Sequence, residues 1–99
     1  MSEKTIKDGI LMLHPIRWKI LMALKEKNKA MYIDPIAEMI GEERRLVSFH
    51  LSTLEEKGFL ESEFKIVTKP KSKGKAGRFY NLTPKFDKLR PKLVKIIEG

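Results

Sequence analysis

The chain contains no cysteine, which removes disulfides, thiolate metal sites and cysteine nucleophiles together. Its only histidines are His14 and His50. A zinc or nickel site needs a third histidine or carboxylate in a geometry the sequence does not display, so no metal and no other cofactor is expected. His14 reads instead as a helix cap and His50 as a half-buried packing residue. No apolar run approaches the roughly 20 residues that span a bilayer, and Met1-Ser2-Glu3-Lys4 lacks a signal-peptide pattern. A cytoplasmic location without a membrane partner is therefore expected. With 99 residues the length is that of one domain, 1–99, with no room for a second one for sensing or catalysis.

What the chain has in excess is positive charge. Lys and Arg number 21 against 13 Asp and Glu, giving +8 and a pI near 9.8. Such a balance favours polyanionic partners through counterion release, nucleic acid before an anionic membrane surface. The 41% hydrophobic and 34% charged residues suit a globular protein whose helices each carry one apolar stripe.

Periodicity gives the order of elements. Ile6, Ile10 and Leu13 recur at helical spacing in a segment that ends before Pro15. From Pro15 to about Lys27, Ile16, Ile20, Ala23 and Leu24 form one face, and Trp18 and Met22 lie nearly opposite, a second stripe that needs cover. Asp34-Pro35 predicts a helix start with Asp34 as cap, Gly41 its stop, and Met31-Tyr32-Ile33 before it one short strand. A further helix is predicted over 43–57, ended by Gly58. The period then becomes two, with Leu60, Phe64 and Ile66 on one face of a strand and Glu61, Glu63 and Lys65 on the other. A second strand, Arg78 to Leu82, follows a lysine-rich loop and predicts a long-tipped hairpin. Thr83-Pro84 opens a last helix bearing Phe86, Leu89, Leu93 and Ile96, with Pro91 expected to kink or split it.

Function concentrates in two places. The 43–57 helix turns Val47, His50, Leu51 and Leu54 inward and Arg45, Ser48, Phe49, Ser52 and Glu56 outward. Arg44 and Arg45 at its start can bond guanine edges or hold phosphates, and the short serines allow close approach to a groove. Phe49 at the centre of that face either meets a thymine methyl or covers a neighbouring loop or helix. The basic loop 69–78 carries Lys69, Lys71, Lys73, Lys75 and Arg78 among glycines and a proline, able to follow phosphates or enter a minor groove. Ser48, Ser52 and His50 do not make a hydrolase set, since serine and histidine lie on opposing faces of one helix. No enzymatic activity is expected.

The segment Arg45-Leu-Val-Ser-Phe-His-Leu-Ser-Thr-Leu-Glu-Glu-Lys-Gly-Phe-Leu60 resembles the recognition helix and following strand of the arsenic-repressor and multiple-antibiotic-resistance repressor families. His14-Pro-Ile-Arg-Trp-Lys-Ile-Leu-Met-Ala-Leu24 is similar to the first helix of that superfamily, and Gly77-Arg-Phe-Tyr-Asn-Leu-Thr83 to its second wing strand. The resemblance implies an α+β winged helix-turn-helix, mainly α with a two- to three-stranded β-wing. Its helix-turn-helix is placed at 33–57 and its wing at 59–82, with dimerisation helices at 1–13 and 84–99. By position, Arg44, Arg45, Ser48, Phe49 and Ser52 match the family's DNA-reading surface. The metal-binding cysteines of the arsenic repressors are absent, which excludes thiolate sensing.

The expected function is a sequence-specific, double-stranded-DNA-binding transcription regulator, a homodimeric repressor that occupies DNA. Its dimer interface is expected to comprise Ile6, Ile10, Leu13, Trp18, Met22, Phe86, Leu89, Leu93 and Ile96, because a minimal winged helix leaves both terminal helices free. Two other readings stay open: a protein-interaction module of a larger transcription complex, and a non-specific DNA-packaging protein.

Overall fold

The computed structural model describes residues 3–66 and 76–98. Five helices and three strands follow one another as α1 (Glu3–Met12), α2 (Pro15–Lys27), β1 (Met31–Tyr32), α3 (Ile33–Ile40), α4 (Arg44–Glu56), β2 (Leu60–Ile66), β3 (Ala76–Leu82) and α5 (Pro84–Glu98). Local chemistry explains the boundaries. At the start of α2 the His14 ring accepts the Ile16 N–H through Nδ1 at 3.3 Å, with Pro15 in the first turn, where no N–H partner is needed. Asn28, in the left-handed conformation, ends the helix. Gly41 and Gly58 take positive φ behind α3 and α4, a conformation in which a Cβ is costly.

The three strands form an antiparallel sheet in the order β1-β3-β2. β3 lies centrally, with Tyr80 opposite Met31 on one side and opposite Ser62 on the other. Helices cover one face of this sheet. There Ile20, Leu21, Leu24, Ile36, Val47, Leu51 and Leu54 from α2, α3 and α4 bury themselves with Phe59, Leu60 and Tyr80. The result is an α+β winged helix-turn-helix: α3 and α4 are the two helices of the turn motif, and β2 and β3 are the wing.

Several local expectations change. Helix α3 begins at Ile33, one residue before Asp34, and Tyr32 at its N-cap makes no side-chain cap. Asp34 therefore lies inside the first turn, and Pro35 takes the third helical position, where the N–H still has no intrahelical partner. Strand β3 begins two residues earlier than the alternation indicated, at Ala76. Pro91 does not split α5, which is one helix from Pro84 to Glu98.

The largest correction concerns α5. Phe86, Leu89 and Leu93 are buried within their own chain. Phe86 meets Trp18 edge-on, with ring centroids 5.9 Å apart, so much of the second α2 stripe finds its cover intramolecularly. Trp18 and Met22 are half-buried against the core. Leu93 packs on α1 at Gly9, where an added Cβ would stand 2.8 Å from its Cδ2 atom. Lys25 pairs with Asp87 at 2.7 Å, and Lys85 with Asp8 at 3.3 Å, tying α5 to α2 and α1. The α5 stripe is not surplus surface, because one chain already folds it inward; the side chain of Ile96 lies outside the described residues.

This placement has a measurable consequence. Phe86→Ala should lower unfolding free energy by about 3–5 kcal/mol, the usual cost of deleting a buried phenyl ring. Denaturant midpoints at two protein concentrations check it: the same loss is expected at both, whereas a ring buried only between subunits would give a loss that varies with concentration.

Candidate nucleic-acid interface

Helix α4 divides its residues as the wheel predicted. Val47, His50, Leu51 and Leu54 are buried, while Arg44, Arg45, Ser48, Phe49, Ser52 and Glu56 are exposed. Phe49 is 61% exposed, so it does not cover a neighbouring element; its ring only touches the His50 ring edge-on, 5.2 Å between centroids. At the start of the helix Glu43, the N-cap residue, makes no side-chain cap, so the first N–H groups have no capping side chain from it.

The two arginines at this end differ. Arg44 Nε donates to Asp34 Oδ1 at 2.8 Å, an ion pair that ties α4 to α3 across the turn. Among the described residues Arg45 has no ion pair and no side-chain hydrogen bond. It shares the exposed face with Ser48, Phe49 and Ser52. Of the five cations expected on the wing, Arg78 alone is described. Its guanidinium lies 4.2 Å from the centroid of the Phe64 ring, and its Nη1 donates to Ser62 Oγ at 2.8 Å. Ser62 in turn donates to Glu55 Oε2 of α4. Lys69, Lys71, Lys73 and Lys75 lie outside the described residues.

Behind the exposed face of α4 sits a cluster that the sequence did not announce. Arg17 Nε donates to His50 Nδ1 at 3.1 Å, and Arg17 Nη1 to the Leu11 carbonyl at 3.5 Å. The His14 and His50 rings stand 4.6 Å apart. The His50 ring accepts through Nδ1, as a neutral imidazole with its proton on Nε2 does. Among the described residues no group of three or more His, Cys, Asp or Glu is placed to hold a metal ion. Burial, and then the nearby His14 and Arg17, push the His50 pKa below its ordinary 6.5. Arg17, Asp34, Glu55 and Ser62 are thus the supporting residues that sequence reasoning missed. Their partners lie 7, 10 and 33 residues along the chain, on other elements, and no local spacing marks them.

The fold and the exposed face of α4 define a winged-helix protein of the DNA-binding class. The chain carries the helix-turn-helix described as "Bacterial regulatory protein, arsR family", matched over residues 14–62. Among solved structures it is similar to diamide-treated YodB from B. subtilis, with 17% identity, 99% of this chain and 90% of that one covered, and a TM-score of 0.77. It is also similar to a "possible transcriptional regulator" from Methanosarcina mazei Go1, at 15% identity, 97% and 78% coverage and a TM-score of 0.63. NadR in complex with 4-hydroxyphenylacetate matches at 19% identity, 94% and 64% coverage and a TM-score of 0.61. These three likenesses show the fold. No curated protein matches in sequence. The matched helix-turn-helix is that of a regulatory-protein family. No helix among the described residues is long and apolar enough to cross a membrane.

The lowered His50 pKa fixes the sign of a pH effect. Unfolded chains take up the proton near 6.5 while folded chains resist it, so below that pH the unfolded state binds more protons and stability falls. The contribution of neutral His50 is complete above 6.5 and is lost progressively as pH drops from 6.5 through the folded value. Urea unfolding between pH 7.5 and 5 should show this decline, and His50→Gln should flatten the part of it that begins near 6.5.

Proposed function

We infer that the protein is a sequence-specific regulator that binds double-stranded DNA as a homodimer and represses by occupying its site. The observation that carries this reading is the two-sidedness of α4. One side is locked into the core by Val47, His50, Leu51 and Leu54, and the other presents Arg45, Ser48, Phe49 and Ser52 to solvent. Such a helix fits a major groove, where an unpaired arginine can bond a guanine edge and a phenyl ring can meet a thymine methyl. Arg44, held by Asp34, suits a phosphate contact more than a base contact, and Arg78 with the wing lysines supplies further phosphate contacts.

For the dimer, the support is the outer side of α1. Ile6, Ile10 and Leu13 are exposed there, Ile10 by 69%, a costly arrangement in water unless a second copy covers it. With α5 turned inward, the interface centres on α1 and the exposed edges of Trp18 and Met22. Two symmetry-related recognition helices then call for a roughly palindromic site with half-sites about one helical turn, or a multiple of it, apart. Sedimentation at tens of micromolar should show a dimer, and Ile10→Glu should shift it to monomer. A wild-type monomer at that concentration rejects the homodimer.

Base-reading and phosphate-binding residues separate by salt titration on a selected duplex and a scrambled one. Arg45→Ala should cost about 1–3 kcal/mol on the selected site and relax the preference there. Lys71→Gln or Lys73→Gln should weaken both duplexes alike and lower the log-affinity against log-salt slope by about one for each phosphate no longer neutralised, up to about two in a dimer. Equal weakening on both duplexes for Arg45→Ala, or an unchanged slope for the lysine variants, argues for the protein-interaction reading instead.

A further inference from the structure

Two large apolar side chains on the wing have no role in the fold. Along β2 the residues Leu60, Ser62, Phe64 and Ile66 share one face. At its start this face belongs to the protein: Leu60 is buried, and Ser62 bonds Glu55 of α4. That bond brings the strand back alongside the recognition helix. Beyond Ser62 the same face leaves the core, and Phe64 is 65% and Ile66 68% exposed. The other face of the strand is different in kind, since it carries Glu61, Glu63 and Lys65, with Lys65 over the Phe79 ring.

The surroundings of Phe64 indicate what covers it. Arg78, its cross-strand partner, spreads its guanidinium on the ring and is fixed there by the bond to Ser62. The Phe64 ring with the guanidinium on it and, two residues on along the same face, Ile66 present an exposed apolar surface with a cation at its edge. In sequence, Lys69, Lys71, Lys73 and Lys75 lie between Ile66 and Arg78. An apolar surface with a cation at its edge fits a duplex minor groove, whose sugar edges and base steps are apolar and whose rims are phosphates. The strand's acidic residues, Glu61 and Glu63, sit on the opposite face, and Glu55 of α4 is engaged by Ser62. Through Ser62 and Glu55 the surface is continuous with the helix that reads the major groove.

We propose that Phe64 and Ile66 form an apolar wedge that enters the minor groove beside the recognition-helix site and bends the duplex, with Arg78 held on the Phe64 ring to anchor the wedge at the groove edge. This rests on the DNA-binding reading above. It assigns to the wing a second task besides phosphate attraction, the deformation of the DNA, which makes flexible base steps at the wing position part of the preferred site.

The test uses the full chain and a selected duplex labelled at both ends, measuring affinity against salt and end-to-end distance by energy transfer. The wild type should bind with a steep salt dependence and shorten the end-to-end distance, as expected of a bend of roughly 20–90°. The Phe64→Ala, Ile66→Ala double variant should bind about tenfold or more weakly with an unchanged salt slope, because every phosphate keeps its cation, and should leave the duplex straight. Phe64→Leu, which keeps the apolar bulk, should still bend it. Both positions are exposed, so a thermal melt unchanged from wild type is expected and confirms that the variants fold. If the wild type binds but the double variant binds and bends as it does, the wedge is wrong and the DNA-binding reading stands. If the double variant instead loses self-association in sedimentation, the surface joins two copies and the wedge is likewise overturned. If the wild type itself shows no salt-dependent duplex binding, the DNA-binding reading fails first.

Discussion

The arrangement of the surfaces proposed to meet DNA depends on the corner between α4 and the wing. Gly58 takes φ +85°, Phe59 donates its N–H back to the Leu54 carbonyl, and its ring is fully buried. The beginning of α5 then fastens this corner from outside. Thr83 donates its N–H to the Phe59 carbonyl and its hydroxyl to the Gly58 carbonyl, while Lys85 donates to the Lys57 carbonyl and lies over the Phe59 ring. A left-handed turn alone leaves a hinge, since two dihedrals are free to vary. A buried ring held by hydrogen bonds from a third element removes that freedom, so helix and wing keep one mutual angle. Groove recognition by two elements requires this preorganisation.

A second constraint acts on the back of the same helix. Arg17 joins the Leu11 carbonyl at the α1–α2 corner to His50 of α4. Phe49, at the centre of the reading face, is thus the chain neighbour of a residue bonded to the opposite side of the structure. One guanidinium links the α1–α2 corner to the back of α4.

The terminal helices illustrate how a small winged helix handles surplus apolar surface. Helix α5 gives Phe86, Leu89 and Leu93 to the chain's own core and closes over Trp18. Helix α1 splits: Gly9 and Met12 face inward, and Ile6 and Ile10 face out. Gly9 makes that split possible, because the absent Cβ lets α1 lie directly on Leu93. The chain covers one side of α1 but not both, which leaves Ile6 and Ile10 exposed.

Local sequence determined the element order, the caps at His14 and Gly41, the stop at Gly58 and the inward and outward faces of α4, because each follows from periodicity or from one residue's backbone preference. It also brought Arg45, Ser48, Phe49 and Ser52 to one face, since four residues within two helical turns need no tertiary information to align. Tertiary structure decided the rest. Whether the α5 stripe turns inward, which of two adjacent arginines is held by Asp34, that Arg17 finds His50 across 33 residues, and that Phe64 and Ile66 leave the core that buries Leu60 all depend on distances between distant segments. A period-two pattern states which residues share a face, but how far the covering helices extend along that face is set by packing alone.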